Sequence, residues 1–304
     1  GYYMSNDKIV CISKVTHEIV KTVAPEVDSC YLPHAVNDEI FKPLDKEKVL
    51  KFKKDAMPIP EDRFVFFWNN RNARRKQSGT LIFWFKEFLD RVGKDKAFLL
   101  MHTDPKDPHG QDLTKIMEYL GLTNGEIMLS QQKLGNNDLN LLLNAADCTL
   151  SASDAEGFGL STFESLSAGT PIIVTMTGGL QEQVTDGENW FGIGIEPSSK
   201  AVIGSQDVPY IYEDYVSCEK TAEAMMKLFE MSDEDRKALS QKVLDYVDSE
   251  FKLQDTIDDW HNTLVDLMKN WKSNSWKKYP VKHIPEYPDK DALNMVLDKI
   301  KNYP

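Results

Sequence analysis

The sequence predicts an α/β protein: a Rossmann-like parallel sheet with helices on both faces, followed by C-terminal helices. Short apolar runs of strand character alternate along the chain with amphipathic helical segments, which is the pattern of consecutive βαβ units. Polar or glycine-bearing loops follow several of these runs, and in open parallel sheets ligands bind at that end of the strands. The length of 304 residues allows about two domains or one large one.

Composition narrows the class of protein. A content of 41% hydrophobic and 28% charged residues is ordinary for a soluble globular chain. The net charge of −12, without a dominant basic stripe, argues against a nucleic-acid partner. The sequence contains no apolar run that approaches the length of a membrane span, roughly 18 residues, and we expect no signal peptide. We therefore expect a cytoplasmic protein, peripheral to a membrane only through a partner.

The cysteines predict neither disulfides nor a metal site. They are widely scattered and lack a C-x-x-C spacing: Cys11, Cys30, Cys148 and Cys218. We expect them to be reduced packing residues in a cytosolic protein.

The first part of the chain predicts short elements before the main run. Residues 8–13 are expected to form a strand, 15–23 a helix, 29–33 an extended run and 46–54 a charged helix. A proline-bounded connection lies between the last two. Two further prolines, at positions 58 and 60, interrupt the chain, and the main domain begins after them.

The main run predicts five strands, each followed by a helix. The strands are expected at residues 63–68, 96–102, 126–129, 148–150 and 172–175. The helices are expected at 78–92, 113–120, 137–146 (with Asn136 as a cap), 161–168 and after Gly178-Gly179. Ser78 or Gly79 opens the first helix, and Gly169 and Pro171 end the fourth. This order predicts parallel pairing.

After residue 185 the pattern changes to a turn at 186–189, a short strand at 190–195, an irregular stretch at 197–215 and then helices.

The C-terminal helices are expected at 219–231, 232–251 and 253–271, with a last one near 290–301. Ser232 is an N-cap candidate with acidic residues in the first turn. Apolar residues recur at helical spacing in the third helix and are expected to be packing residues: Ile257, Trp260, Leu264, Leu267, Met268 and Trp271.

A basic loop follows the first strand of the main run. Arg71, Arg74, Arg75 and Lys76 precede a helix on the sheet edge that also carries the glycine loops. Arginine offers forked donors to phosphate oxygens and lysine a point charge. A solvated surface cluster is the alternative for any such run. The position after a strand, in an acidic protein, favours a diphosphate site.

Two glutamates lie in and after the loop that follows the fourth strand. Glu156 is in the loop, and Glu164 is about one turn into the next helix. A carboxylate there can accept hydrogen bonds from vicinal hydroxyls, as in dinucleotide folds. Taken alone, the pair is equally compatible with two ordinary glutamates.

Read together, four segments resemble the nucleotide-sugar-binding, C-terminal half of GT-B glycosyltransferases, and most closely the retaining glycosyltransferase family four. In chain order they are PHAVNDEIF, RNARRK, EGFGLSTFE and SAGTPIIVTMTGGLQEQVTDGEN. Glu156 and Glu164 match the Glu-x7-Glu motif of that family, and Arg71 and Lys76 match its Arg and Lys five apart. The resemblance covers about residues 32–271.

The resemblance implies a role for each matching residue. Arg71 and Lys76 would hold the diphosphate and stabilise the leaving nucleotide, Glu156 would touch the sugar near the reaction centre, and Glu164 would bind the ribose hydroxyls. Backbone groups near sugar and phosphate would come from Phe158, Gly159, Leu160 and Ser161, with Gly178 and Gly179 beside them. The donor would be a nucleotide-diphosphate sugar such as a UDP- or GDP-sugar. Neither a cofactor nor a metal is implied.

The sequence departs from the family at several positions. Asn70, Gln77 and Ala35 stand where the family usually has glycine, which puts local loop conformation in question. The acceptor half is mostly missing: residues 1–31 resemble its remnant, 32–251 the nucleotide-sugar domain, and 252–304 a helix and tail packing back on it. The usual catalytic-side histidine of the acceptor half is absent. His17 is a candidate for its role only by default, and we expect it to be a helix-surface histidine.

Three functions therefore stay open. The first is the donor domain of a retaining, metal-independent hexosyltransferase that uses a carbohydrate, lipid or protein acceptor. The chain would then be either a fragment of a longer enzyme or a natural donor-domain protein that needs a separate acceptor domain, and in both cases transfer would require the missing half. The second is a non-catalytic nucleotide-sugar-binding or assembly module. The third is a GT-B nucleotide-sugar epimerase.

Overall fold

A six-stranded parallel sheet with helices on both faces forms the centre of the protein, which confirms the predicted fold class. The computed structural model describes residues 3–57, 60, 62–206, 208, 210–271, 294 and 298. The helix expected near 290–301 lies outside the described residues, apart from Asn294 and Asp298. The domain boundaries at 32 and 252 remain predictions.

The elements before the main sheet agree with the prediction in type and order. They are β1 (Ile9–Cys11), α1 (Lys14–Val23), β2 (Ser29–Tyr31) and α2 (Lys46–Ala56). β1 and β2 pair in parallel as a separate two-stranded sheet.

The main sheet alternates strictly with helices. Its strands are β3 (Phe64–Asn69), β4 (Ala97–His102), β5 (Ile127–Ser130), β6 (Cys148–Ser151), β7 (Ile172–Thr175) and β8 (Ile193–Ile195). The helices between them are α3 (Ser78–Val92), α4 (Leu113–Leu120), α5 (Asn136–Ala145), α6 (Leu160–Ser167) and α7 (Gln181–Val184). Three helices follow: α8 (Cys218–Phe229), α9 (Asp233–Glu250) and α10 (Leu253–Asn270).

The strand order creates a crevice at the carboxyl edge. The order is β5-β4-β3-β6-β7-β8, and every pairing is parallel. The chain therefore moves outward from β3 to β5, returns to place β6 beside β3, and moves outward again. At such a switch point the loops after the two central strands diverge and leave a ligand crevice. Here those are the loops after β3 and β6.

Alternating side chains of β3 bury apolar surface on both faces of the sheet. Phe66 and Trp68 pack with α3, where Phe66 lies 5.3 Å from Phe88 between ring centroids. Val65 and Phe67 pack on the opposite face, in a cluster with α5. Each side chain of this size contributes about 1.5–3 kcal/mol when fully buried. This core fixes the strand that carries the basic loop.

Two local predictions were wrong. Residues 197–215 are not irregular: β9 (Ser199–Ile203) and β10 (Ile211–Tyr215) form an antiparallel hairpin. Asn136 does not cap α5; it is the first helical residue, and Gly135 takes the cap position without a side-chain bond. By contrast, Ser232 caps α9 as expected, accepting from the Asp235 amide.

The apolar stripe of α10 is not packed as expected. Ile257, Trp260, Leu264, Met268 and Trp271 are exposed, and α10 contains no buried residue. Helical spacing predicted the apolar face correctly, but spacing does not specify what covers it. A cavity of about 810 Å³ separates part of α10 from β2.

Candidate functional site

Three loops meet at the carboxyl edge of the sheet. The basic loop (residues 70–77) follows β3 and contains a short 3₁₀ turn at Arg74–Lys76. The glycine loop (residues 152–159) follows β6, and a second 3₁₀ turn, Gly178–Leu180, follows β7. The Asp154 amide donates to the Arg75 carbonyl at 2.9 Å, and the Gly179 amide donates to the Glu156 carbonyl at 3.2 Å. The glycine loop therefore contacts both neighbours.

Lys76 and Glu156 form an ion pair across the switch point. Their side chains are only 11% and 12% exposed. Arg75 donates to the same carboxylate oxygen at 2.9 Å, although its own side chain is much more exposed. Burial lowers the pKa of Lys76, and the Glu156 charge opposes that shift. The structure thus brings two of the predicted site residues into direct contact.

Arg71 pairs with a different carboxylate from Lys76. Its guanidinium donates to Asp107 through Nε (2.7 Å) and Nη2 (3.2 Å) and lies 2.7 Å from the His109 ring. The Arg71 bonds hold the pKa of the Asp107 carboxyl well below its usual range. Arg71 and Lys76 share one loop, but in this structure they do not share one carboxylate partner.

Arg74 and Gln77, in the same loop, are also paired with carboxylates. Arg74 donates to both carboxylate oxygens of Glu213 on β10, at 2.9 and 2.5 Å. Gln77 donates through Nε2 to both oxygens of Asp154 at 2.8 Å. Burial raises the pKa of Asp154 to about 6, and the Gln77 contact works in the opposite direction. Gln77 has a backbone φ of +54°, a conformation that non-glycine residues seldom adopt. It stands where the family usually has glycine.

Asn72 fixes the opposite side of the basic loop. Its side chain is fully buried and accepts from the Ser78 hydroxyl (2.5 Å) and the Gln111 amide (3.2 Å). Its amide nitrogen donates to the Gln111 carbonyl at 2.7 Å. The loop after β4 is thereby joined to the basic loop.

Glu164 lies one turn into α6, as the sequence predicted. Burial raises the pKa of its carboxyl to about 7, and no hydrogen bond to that carboxyl is found in the described part of the chain. A largely buried carboxyl without a partner is uncommon, because burying an unpaired charge is costly. An acceptor at this position is therefore available for hydroxyl donors from a ligand.

The start of α6 presents backbone amides at the same edge. Gly159 precedes the helix with φ +94°, and a Cβ there would lie 2.5 Å from Leu180. Phe158 is buried, whereas Leu160 is 47% exposed and Ser161 is intermediate. The first amides of a helix lack intrahelical partners and attract anions.

The two glycine-bearing segments pack backbone to backbone. A Cβ on Gly178, whose φ is +48°, would lie 1.8 Å from the Glu156 carbonyl oxygen. A Cβ on Gly179 would lie 2.5 Å from the Gly157 carbonyl oxygen. Glycine at both positions is required for this close approach, and the predicted neighbourhood of Gly178-Gly179 and the glycine loop is present.

Three histidines occupy different surroundings. His17 lies in α1 with a buried Nε2 that has no hydrogen-bond partner in the described part of the chain. His34 packs edge-on against Phe158, with ring centroids 5.3 Å apart. His102 contacts the Ser130 hydroxyl, and burial lowers its pKa.

Sequence reasoning missed two carboxylates that pair with the basic loop, Asp107 and Glu213. Asp107 lies in an Asp- and Pro-rich loop whose position beside β3 depends on strand order, and Glu213 lies in the stretch expected to be irregular. The one available signal was that the loops after parallel strands lie at the same edge of the sheet, which would bring the loop containing Asp107 close to the basic loop. Among the described residues, the four cysteines are free, no group of three or more candidate ligands is arranged for a metal, and no helix is long and apolar enough to cross a membrane.

Known proteins resemble this chain in both sequence and fold. D-inositol 3-phosphate glycosyltransferase 1 of Catenulispora acidiphila is 28% identical over 187 residues, which is 60% of this chain and 41% of the relative. Alpha-monoglucosyldiacylglycerol synthase of Streptococcus pneumoniae is 24% identical over 174 residues, 57% of this chain and 38% of the relative. The chain therefore spans about two fifths of the length of these curated relatives.

The solved structure of sucrose-phosphate synthase from Thermosynechococcus elongatus shares the fold. Its TM-score is 0.69 at 19% identity, covering 88% of this chain and 60% of that chain. The family model described as Glycosyl transferases group 1 matches residues 51–243. Because that match covers more than half of the 304 residues, the chain belongs to the glycosyl transferases group 1 family and has its GT-B fold.

Proposed function

We propose that this chain is the donor-binding part of a hexosyltransferase that uses a nucleoside-diphosphate sugar, such as a UDP- or GDP-sugar. The observation that carries the proposal is the carboxyl of Glu164, which has no hydrogen-bond partner among the described residues and lies one turn into the helix that follows the loop with the Lys76–Glu156 pair. An acceptor for hydroxyls on the helix that starts at the same sheet edge as Lys76 suits a nucleotide sugar, because ribose, diphosphate and sugar can each find a complementary group.

Each part of the donor has a proposed partner. Glu164 accepts from the ribose hydroxyls. The diphosphate is held by Lys76, Arg71 and the amides of Phe158, Gly159, Leu160 and Ser161. Glu156 contacts the sugar, with the backbone around Gly178 and Gly179 next to it. The close backbone packing of these loops supports a fixed sugar position.

The proposed transfer breaks the bond between the anomeric carbon and the diphosphate oxygen and forms one to an acceptor oxygen with the same configuration. Negative charge grows on the departing diphosphate. Lys76 and Arg71 stabilise it, together with the positive end of α6, so that no metal ion is required. The departing phosphate oxygen takes the proton of the acceptor hydroxyl. The retaining course comes from the family resemblance.

Ligand binding has to exchange internal ion pairs for contacts to the donor. Lys76 and Arg75 both lie on Glu156 in this structure, and Arg71 lies on Asp107. We propose that the diphosphate takes Lys76 and Arg71 from these carboxylates while Glu156 turns to sugar hydroxyls. Glu156 keeps Arg75 as its cation in such an exchange, and Asp107 keeps the hydrogen bond from the His109 amide, so neither carboxylate is left without a partner.

The acceptor requires surface beyond this chain. Relatives named for inositol phosphate and for a glucosyldiacylglycerol support a polyol or lipid acceptor, and a carbohydrate or protein acceptor remains within the proposal. We propose that an acceptor domain, on the same polypeptide or a separate one, covers the exposed apolar stripe of α10. Without it the chain binds donor but transfers slowly or not at all.

Transfer can be tested by NMR. The chain, with and without an acceptor domain from a group 1 relative, is incubated with UDP-glucose or GDP-mannose and candidate acceptors. The proposal predicts nucleoside diphosphate release and a new glycosidic bond only when the acceptor domain is present. Epimerised sugar nucleotide would instead indicate an epimerase. Binding without any product in either arrangement would indicate a non-catalytic module.

A further inference from the structure

The β9–β10 hairpin contacts the basic loop through a buried carboxylate. The Glu213 side chain is only 5% exposed, although it lies on a hairpin whose other residues are mostly at the surface. It accepts two bonds from Arg74 and a third from the Tyr215 hydroxyl at 2.8 Å. Arg74 lowers the pKa of Glu213, so both groups stay charged. The Glu213 carboxylate therefore accepts three hydrogen bonds from protein side chains.

A backbone connection runs beside this ion pair. The Asp214 amide donates to the Asp154 carbonyl at 2.8 Å, and the Asp154 amide donates to the Arg75 carbonyl at 2.9 Å. The Asp214 side chain accepts from the Thr177 hydroxyl at 2.8 Å. The hairpin thereby touches the basic loop, the glycine loop and the segment after β7.

These contacts hold both ends of the turn that carries Lys76. Arg74 begins the turn and is fixed by Glu213, whereas Gln77 ends it in a left-handed conformation and is fixed by Asp154. The Gln77 amide closes the turn on the Arg74 carbonyl at 3.1 Å. A sparsely populated backbone conformation persists only where surrounding contacts hold it. Lys76 lies between the two fixed points.

We propose that Glu213 is a positioning residue for the diphosphate site, acting through Arg74 on the turn that places Lys76. The inference rests on the proposed function, since it assigns Lys76 to the diphosphate. Glu213 itself does not touch the donor. The hairpin is then part of the donor site, although its sequence carries none of the matching motif residues.

A double-mutant cycle separates positioning from simple stabilisation of the hairpin. Glu213→Gln keeps the size of the side chain and removes the charge, and Arg74→Met removes the partner. Dissociation constants for UDP, GDP, UMP and GMP are measured by calorimetry well below the melting temperature. Tyr212→Ser is the matched control, because Tyr212 is the neighbouring hairpin residue and its side chain is 60% exposed.

Positioning predicts that Glu213→Gln weakens diphosphate binding about tenfold and monophosphate binding less than about twofold. Arg74→Met and the double variant should give the same loss as Glu213→Gln, because the two residues act as one unit. Glu213→Asp should recover part of the affinity, and Tyr212→Ser should bind as the wild type does.

Three results would overturn the proposal. If the wild type binds a nucleoside diphosphate and Glu213→Gln binds it equally well, the Arg74–Glu213 ion pair only attaches the hairpin to the basic loop. The proposed function would still stand in that case. Equal losses for mono- and diphosphate would also assign Glu213 a purely structural role. If the wild type binds none of the four nucleotides, the proposed function fails and this inference fails with it.

Discussion

Lys76 and Glu156 form an ion pair that joins the loop after β3 to the loop after β6. Because β3 and β6 are adjacent only through the reversal of strand order, residues eighty positions apart become direct neighbours. Both side chains are nearly buried, so each depends on the other for charge compensation. Any ligand that takes Lys76 must also satisfy Glu156, and a sugar diphosphate can do both.

Replacing Lys76 with methionine should weaken nucleoside-diphosphate binding about a hundredfold, since it removes a buried cation and leaves Glu156 with Arg75 alone. Calorimetry measures the loss. Arg75→Met is the matched control, because Arg75 contacts the same carboxylate from a more exposed position, and we expect a loss below about threefold. Equal effects of the two substitutions would contradict the assignment of the diphosphate to Lys76.

Glu164 should make folding stability depend on pH. Burial raises its pKa from 4.5 to about 7, so the folded state keeps a proton that the unfolded state loses between these values. This contribution to stability therefore decreases as the pH rises through that window and stays low above it. Glu164→Gln should raise the free energy of unfolding by up to about 3 kcal/mol near pH 8 and change it little near pH 4.

Urea unfolding at the two pH values measures this effect. Glu118→Gln, on the exposed side of α4, is the control and should show no such difference between them. A Glu164→Gln variant that is equally stable relative to the wild type at both pH values would contradict the burial of this carboxyl.

Gln77 should tolerate glycine better than alanine. Both substitutions remove the contacts to Asp154, but only glycine also relieves the left-handed backbone. We expect the free energy of unfolding of Gln77→Ala to be about 1 kcal/mol lower than that of Gln77→Gly. Urea denaturation of the two variants provides the comparison, and equal stability would mean that the strain is absent in solution.

Asp107 should compete with the donor for Arg71. Asp107→Asn loosens an exposed ion pair and frees the guanidinium, so nucleoside diphosphate should bind about threefold more tightly. Asp104→Asn, in the same loop but without a contact to Arg71, should leave the affinity unchanged. Weaker binding after Asp107→Asn would instead show that Asp107 holds Arg71 in its working position.

The order of strands and helices could be predicted because the apolar runs and helix-ending residues that define them are visible in short stretches of sequence. The apolar runs at β3, β4 and β6 are buried on both faces, and glycines such as Gly169 end helices where a positive φ is required. The Glu156–Glu164 spacing correctly placed one carboxylate in the loop and one in the helix. These features depend on neighbours in the chain, which a sequence displays directly.

Asp107 and Glu213 could not be predicted as partners of the basic loop, because they come from segments distant in the sequence. Glu213 is a buried polar residue in a strand whose other residues are largely exposed, so β10 lacks the apolar alternation that marks a strand. Asn136 sits inside α5 because helix ends are set to within a residue or two by competing caps. The α10 stripe was recognised, but periodicity does not identify its partner.

The most direct test of the central claim is the calorimetric titration of UDP and GDP into the wild type and Glu164→Ala near pH 8. We predict that the wild type binds at least one of the two. Glu164→Ala should weaken that binding about tenfold or more, because a charged acceptor for the ribose hydroxyls is lost. Absence of binding to both nucleotides, or an unchanged affinity in Glu164→Ala, would contradict a nucleotide-sugar site at this edge of the sheet.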